Sequence, residues 1–265
     1  MLSQKTRKEI KEMLKTAVLT KLKTYKPETS YMPFHCNLLG RDRYAMFSFI
    51  QSMNTTFGMS IWEQLAVILS RGAGNKAERQ FNLLGEIDKE TGKLIQKMHY
   101  ELRKGNISAD VMKETENIRN HIKKGRAKDD DPDSVVDIFV NVKGTENLFD
   151  ITTVKPNMKE FVSMKLKLLR WTGLRLSQDK KVKVFARLAI PYNPYHPQPY
   201  DRWTLKGLFD LKNGEVLVGR EFWNFVANND IYEELLDIFQ MVGESLRKEI
   251  DKKFQEFRNL KASYS

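Results

Sequence analysis

The stretch that decides the fold is VVDIFVNVKGTENLFDITTVKPN, residues 135–157. VVDIFVNV, 135–142, is a β-branched run of strand length, and LFDITTVK, 148–155, is a second one. The intervening KGTEN contains a glycine and connects them as an antiparallel hairpin. Pro156-Asn157 ends it, and MKEFVSMKLKLLRWTGL follows as an amphipathic helix with Phe161, Met164, Leu168 and Trp171 on one stripe. KVKVFARLAI, 181–190, is a third strand. Strand, helix, strand is a crossover unit, so this strand is expected to lie parallel to 148–155.

Outward from this core the chain reads as helical. Before it, helices are expected over about 3–24, over 42–55, from Ser60 to Gly72 behind a Ser60/Glu63 capping box, over AERQFNLLGEI (77–87), over 89–104, and from Ser108 to Gly125. RAKDDDPDS, 126–134, is a charged loop that marks a change of texture. After the core come the Pro/Tyr-rich loop YNPYHPQPYDRW, a short strand in GEVLVG, and helices over EFWNFVANN and IYEELLDIFQMVGESLRKEIDKKFQEF. The expected class is mixed α/β (α+β): a small mixed sheet, with an antiparallel hairpin and a βαβ crossover, flanked by many helices. The expected organisation is a helical region, 1–125, for dimerisation and DNA contacts, and a core with C-terminal helices, 126–265, together forming one compact unit.

The chain has 265 residues, with 45 Lys plus Arg against 34 Asp plus Glu and a net charge of +11. That balance fits a polyanionic partner, most simply nucleic acid. The lone Cys36 excludes a disulfide framework and a multi-cysteine metal site. With no apolar run long enough to span a bilayer and no signal-peptide core at the start, a soluble cytoplasmic protein without membrane contact is expected.

Asp137 and Asp150 interrupt apolar strands, and a carboxylate in a half-buried strand is costly unless paired. Alternation puts Asp137 with Val135 and Phe139, and Asp150 with Leu148, Thr152 and Val154. Across a hairpin the two carboxylates share a face, and a hard divalent cation with oxygen ligands relieves their repulsion. The competing reading pairs each Asp with a nearby Lys or Arg.

These residues resemble a known group. DPDSVVDIF, then a turn, then FDITTVKPN leading into KLKLLRW is similar to the active-site hairpin of PD-(D/E)xK nucleases, and more narrowly to type II restriction endonucleases of the TdeIII kind. The resemblance implies a PD-(D/E)xK core and phosphodiester hydrolysis in duplex DNA. It also implies Mg2+ as cofactor, with Mn2+ substituting and Ca2+ binding without cleavage, and a homodimer on a palindrome. Relatives of this kind are associated with GGNCC. Asp137 matches the first metal aspartate and Asp150 the D/E of D/E-x-K, but the lysine position falls on Thr152, whose hydroxyl carries no charge. Three readings stand open. The protein is a natural inactive relative, or it carries an inactivating substitution at 152, or Lys155 acts from a shifted position. With substitution ranked first, the expected behaviour is specific binding with little cleavage.

Members of this superfamily often add a Glu to the metal shell from an upstream helix, and Glu78 is the candidate here; Glu63 reads as a helix cap. Asp133 is the Asp of the literal Pro-Asp pair, Glu146 belongs to the turn and reads as solvated, and His196 sits in a surface loop. Lys159, Lys165, Lys167 and Arg170 on the helix are read as phosphate contacts, and Arg202, Arg41, Arg43 and Arg71 as candidates for contacts to DNA. Two other functions compete: a DNA-binding relative without cleavage, and a basic RNA-associated or assembly protein whose strand aspartates are structural.

Overall fold

The structure is a computed structural model that describes residues 1–27, 32–123, 134–152, 154–202, 205 and 207–260, the side chain of residue 59 excepted. The chain forms two compact units, one made of Met1–Ile68 with Ile231–Ser265 and the other of Leu69–Asp230. The expected boundary near residue 125 therefore falls inside the second unit, because a strand from the N-terminal half joins the sheet.

The first unit is helical. It holds α1 (Gln4–Thr24), α2 (Pro33–Leu39), α3 (Arg41–Thr56), most of α4 (Trp62–Gly72), α9 (Tyr232–Ser245) and α10 (Arg247–Asn259). Leu22, Ala45, Phe49 and Phe257 form one of its buried clusters, and Tyr25 meets Phe49 edge-on at 5.2 Å. No helix begins at Ser60. A π-helical turn, Phe57–Ile61, carries α3 directly into α4, and the Ser60 hydroxyl donates back to the Thr56 carbonyl instead of capping. Glu63 is accordingly a buried residue within the helix.

The second unit is built on a five-stranded sheet in sequential order: β1 (Lys76–Asn82), β2 (Val135–Val142), β3 (Thr145–Ile151), β4 (Lys183–Ile190) and β5 (Val216–Val218). β1–β2 and β2–β3 are antiparallel; β3–β4 and β4–β5 are parallel. The hairpin and crossover expected from the sequence are both present. Of residues 77–87, expected as a helix, 77–82 lie instead in the edge strand β1, and 83–87 are neither helix nor strand. The helical spacing of Ala77, Phe81, Leu84 and Ile87 joins the strand to the segment beyond it, and within 77–82 pairing with β2 satisfies the backbone.

The hairpin is tighter than expected. Val142 pairs with Thr145, so the turn is only Lys143-Gly144, both with positive φ (50° and 84°), as in a type I′ turn. β3 therefore starts at Thr145, includes Glu146, and ends at Ile151, short of Lys155.

Helices α5 (Lys89–Lys104), α6 (Val111–His121) and α7 (Met158–Gln178) cover one face of the sheet. Their core includes Phe139, Leu148, Leu188, Phe161, Leu168 and Trp171. On the opposite face, Phe149 meets Phe222 and Phe225 of α8 (Arg220–Ala227) edge-on at 5.3 and 5.7 Å. α6 is capped by Asp110 rather than Ser108, and its side chain accepts from the Lys113 N–H. The charged loop, with Gly125 and Asp133, lies outside the described residues apart from Ser134.

The approach of α7 to the chain before α5 is close. A Cβ on Gly85 would lie 2.1 Å from the Leu174 carbonyl oxygen, so only glycine fits there. Beside it, the Ser177 hydroxyl donates to Leu174 and accepts from the Glu86 N–H.

Candidate active site

The β2–β3 register pairs Ile138 with Phe149. Asp137 and Asp150 each lie one residue beyond this last pair, and continuing the register by one step puts them opposite one another on one face of the sheet. Asp137 Oδ2 accepts the Ile151 backbone N–H at 2.8 Å, which fixes its carboxylate at the end of β3. Asp150 is buried, with 6% of its surface exposed. Gln80 of β1 has positive φ (48°) and lies between the Arg79–Ile138 and Phe81–Val136 pairs of the β1–β2 register. Left-handed backbone at a non-glycine residue is the kind of strain that concentrates at functional sites.

The cation on Asp150 comes from neither expected lysine position. Lys167, in the third turn of α7, donates from Nζ to Asp150 Oδ1 at 2.7 Å. The same ammonium lies 4.7 Å from the centre of the Trp171 ring, one turn further along the helix. Thr152 is half-buried, and its backbone N–H continues the ladder to the Ala189 carbonyl at 3.0 Å. Lys155 lies beyond the strand, exposed, with Nζ 5.2 Å from the Tyr195 ring centre.

A second contact seats α7 along β3. Arg175 pairs with Glu146 through two bonds, 2.6 and 2.9 Å long. Glu146, expected as a solvated turn residue, is thus a strand residue in a partly buried ion pair. From 167 to 175 a helix advances about 12 Å. From 150 back to 146 a strand covers about 13 Å. The near match lets one antiparallel helix make both pairs.

KPN acts as a helix start. The Asn157 side chain accepts from Glu160 N, and Glu160 Oε2 accepts from Asn157 N at 2.6 Å, a complete capping box. N-x-x-E was visible in the sequence as the signal for this cap.

Lys165 must be corrected. It is fully buried and pairs with Glu114 Oε2 at 2.6 Å and Glu215 Oε1 at 2.5 Å, so it cannot reach a phosphate. Its position explains this, since 161, 165, 168 and 172 form one helical stripe. Glu78 must also be corrected. It comes from β1 rather than from a helix, stands opposite Phe139, and pairs with Lys76 at 3.1 Å. Among the described residues, no three His, Cys, Asp or Glu side chains come together to hold a metal ion. Asp137 and Asp150 alone still fit a small hard cation, because Mg2+ characteristically takes one or two carboxylates and keeps several waters.

The Pro/Tyr loop packs beside the exit of β3. Tyr200 donates its hydroxyl to the Val154 carbonyl at 2.9 Å, and the Arg202 guanidinium lies 6.0 Å from the Phe161 ring centre. Burial pushes the Tyr200 phenol above its usual range. Trp203 lies outside the described residues, and His196 is exposed in this loop as expected. Lys159 is exposed in the first turn of α7. Arg71 donates to the Ala77 carbonyl at 3.0 Å; Arg41 and Arg43 open α3 in the first unit, where Arg43 donates to Leu39 at 2.8 Å.

The family model described as "Type II restriction endonuclease, HinfI" matches residues 2–243. The chain is 27% identical over 233 residues to the type II restriction enzyme HgiCII of Herpetosiphon aurantiacus, covering 83% of this chain and 81% of that protein. It is 25% identical over 280 aligned positions to HgiEI of the same organism, covering 94% and 97%. It is 24% identical over 209 residues to MjaII of Methanocaldococcus jannaschii, covering 74% of this chain and 55% of that protein. A match over nearly the whole sequence establishes the family, and the chain belongs to the HinfI type II restriction endonucleases.

Proposed function

We propose that the protein hydrolyses phosphodiester bonds within a short palindromic duplex, with GGNCC as the candidate site, at a PD-(D/E)xK centre formed by Asp137 and Asp150. The observation that carries this reading is that Asp137 and Asp150 each lie one residue beyond the Ile138–Phe149 pair of the hairpin, in a chain of this family. Asp137 and Asp150 hold a divalent cation, with Mg2+ as the natural ion, Mn2+ as a substitute, and Ca2+ as an ion that binds without supporting cleavage. When bound, such an ion polarises the scissile phosphate and lowers the pKa of a coordinated water.

The chain's own residues set the geometry. The Ile151 N–H orients Asp137, and the buried strand end keeps Asp150 in place. Arg202 and Tyr200 sit on the loop beside the exit of β3, where contacts to base edges are made. Lys159, Arg41, Arg43 and Arg71 contribute salt-dependent contacts to the backbone. Two chains act on a two-fold site, and the protein works in the cytoplasm, where foreign DNA enters. No helix among the described residues is long and apolar enough to cross a membrane. A second reading, binding without cleavage, rests on Thr152 alone. Membership in this family displaces the reading as an RNA-associated or assembly protein.

The test combines cleavage of unmethylated DNA in Mg2+ with gel shifts in Ca2+. Asp137→Asn and Asp150→Asn are each expected to abolish cleavage while retaining duplex binding. Cleavage at the parent rate in both variants would place the active site elsewhere.

A further inference from the structure

Resting on the nuclease reading above, we propose that Lys167, delivered by helix α7, supplies at the Asp137–Asp150 centre the positive charge that strand β3 lacks at Thr152. A lysine two residues beyond Asp150 would bring an ammonium to this sheet face from within the strand. Here the ammonium arrives from the helix packed on that face, with Nζ 2.7 Å from Asp150 Oδ1. Trp171, one helical turn away, holds the charge over its ring at 4.7 Å.

The contact is not required merely to seat the helix. Arg175 and Glu146 already fix α7 against β3 with a two-bond pair. The Asn157–Glu160 box fixes the start of the helix. Lys167 also differs from a core lysine, because its side chain is 29% exposed while that of Lys165 is 0% exposed. It is the accessible ammonium of the two, and it stands on the carboxylate at the strand end. Lys155, the other candidate, lies against Tyr195.

In the reaction, the oxygen of a water bonds to phosphorus as one P–O ester bond breaks. The water's proton passes to solvent, and the departing alkoxide takes a proton from solvent. Lys167 keeps its proton throughout. Its charge, beside Asp150, positions the attacking water and stabilises the additional negative charge on the phosphoryl oxygens. Thr152 therefore does not make the chain inactive.

The test uses the full chain as parent, Lys167→Met, Lys167→Arg, Lys167→Met/Thr152→Lys, Thr152→Lys and Asp150→Asn. Three quantities are measured: cleavage of unmethylated plasmid and genomic DNA in Mg2+, duplex binding in Ca2+, and Mn2+ binding without DNA by electron paramagnetic resonance. Lys167→Met is expected to cleave about a hundredfold more slowly than the parent, while Lys167→Arg stays within about tenfold. Duplex affinity in Ca2+ changes less than about threefold, because phosphate and base contacts lie elsewhere. Mn2+ affinity rises about tenfold in Lys167→Met, because a competing cation has left Asp150. Adding Thr152→Lys to Lys167→Met recovers at least about tenfold of the lost rate.

Parent-level cleavage by Lys167→Met, with Asp150→Asn inactive, overturns the role of Lys167 and leaves the nuclease reading intact. Slow cleavage with unchanged Mn2+ affinity and no recovery by Thr152→Lys reduces Lys167 to a packing contact and also overturns it. So does a parent that cleaves only once Thr152→Lys is introduced. If Asp150→Asn cleaves and binds Mn2+ like the parent, or if neither the parent nor Thr152→Lys cleaves, the nuclease reading itself fails.

Discussion

Lys165 and Lys167 stand two residues apart on one helix, and each ends on a carboxylate, yet their surroundings have opposite chemical consequences. Lys165 is enclosed by Glu114 of α6 and by Glu215, which precedes β5. The remaining oxygens of those acids are occupied too. Glu114 accepts the Asp110 N–H, and Glu215 accepts the Asp210 N–H at 2.7 Å. Each of the four carboxylate oxygens thus has a partner that helps hold α6, α7 and the β5 approach together. Lys167 pairs with the Asp150 carboxylate at a strand end, part of its side chain meets solvent, and Asp137 accepts the N–H of the next residue, Ile151. A closed cluster organises a core; an open one leaves room for a ligand. A helical rotation of about 200° between neighbours two apart is enough to separate the roles.

The largest effect expected from this contrast is on stability. Lys165→Met leaves two buried carboxylates without their cation and is expected to cost about 3–5 kcal/mol, measured by urea denaturation. Adding Glu114→Gln and Glu215→Gln to that variant is expected to recover about half of the loss, since the penalty lies in the uncompensated charge. If the single variant costs less than about 1 kcal/mol, the cluster is not the closed unit described.

The pH response sharpens the same contrast. Burial outweighs the neighbouring Lys165 ammonium and raises the Glu215 carboxyl from 4.5 to about 6. A carboxyl with a raised folded-state value binds protons more readily in the folded chain than in the unfolded one. Its contribution to stability is full below about pH 4.5 and is lost as pH rises through about 6. The parent's melting temperature relative to Glu215→Gln is therefore expected to be more favourable at pH 5 than at pH 7. A difference that is flat across this range, or of opposite sign, would contradict the burial argument.

The smallest effect belongs to the open site. Lys167→Met is expected to change unfolding free energy by less than about 1 kcal/mol, because partly exposed ion pairs contribute little. A loss as large as that of Lys165→Met would erase the distinction between the two lysines.

Much of the second unit was legible in the sequence because its signals are local. The β-branched runs around Asp137 and Asp150, the crossover helix and the strand at 183–190 each declare themselves within a few residues. Alternation alone put the two aspartates on one face. What was not legible depends on partners far along the chain. Lys165 reads as a polar-face residue until Glu114 and Glu215, 51 and 50 residues away, are seen to meet it. The stripe through Phe161 and Leu168 was nevertheless a usable warning. Lys167 could not be matched to Asp150 without knowing how α7 lies on β3. β1 escaped because an edge strand needs only its partner's backbone, and Gln80 breaks its alternation with a left-handed residue. Glu146 was misplaced because a two-residue turn was mistaken for a five-residue one.

Gly85 gives this arrangement a calibration point outside the site. A methyl group at position 85 would lie 2.1 Å from the Leu174 carbonyl oxygen and 2.6 Å from the Ser177 hydroxyl, so the absence of a side chain there is one of the conditions on how closely α7 approaches. A single added carbon at position 85 is expected to force the chain before α5 and the helix apart, and slower cleavage by Gly85→Ala with Lys167 unchanged is the outcome that checks whether the strain reaches the site.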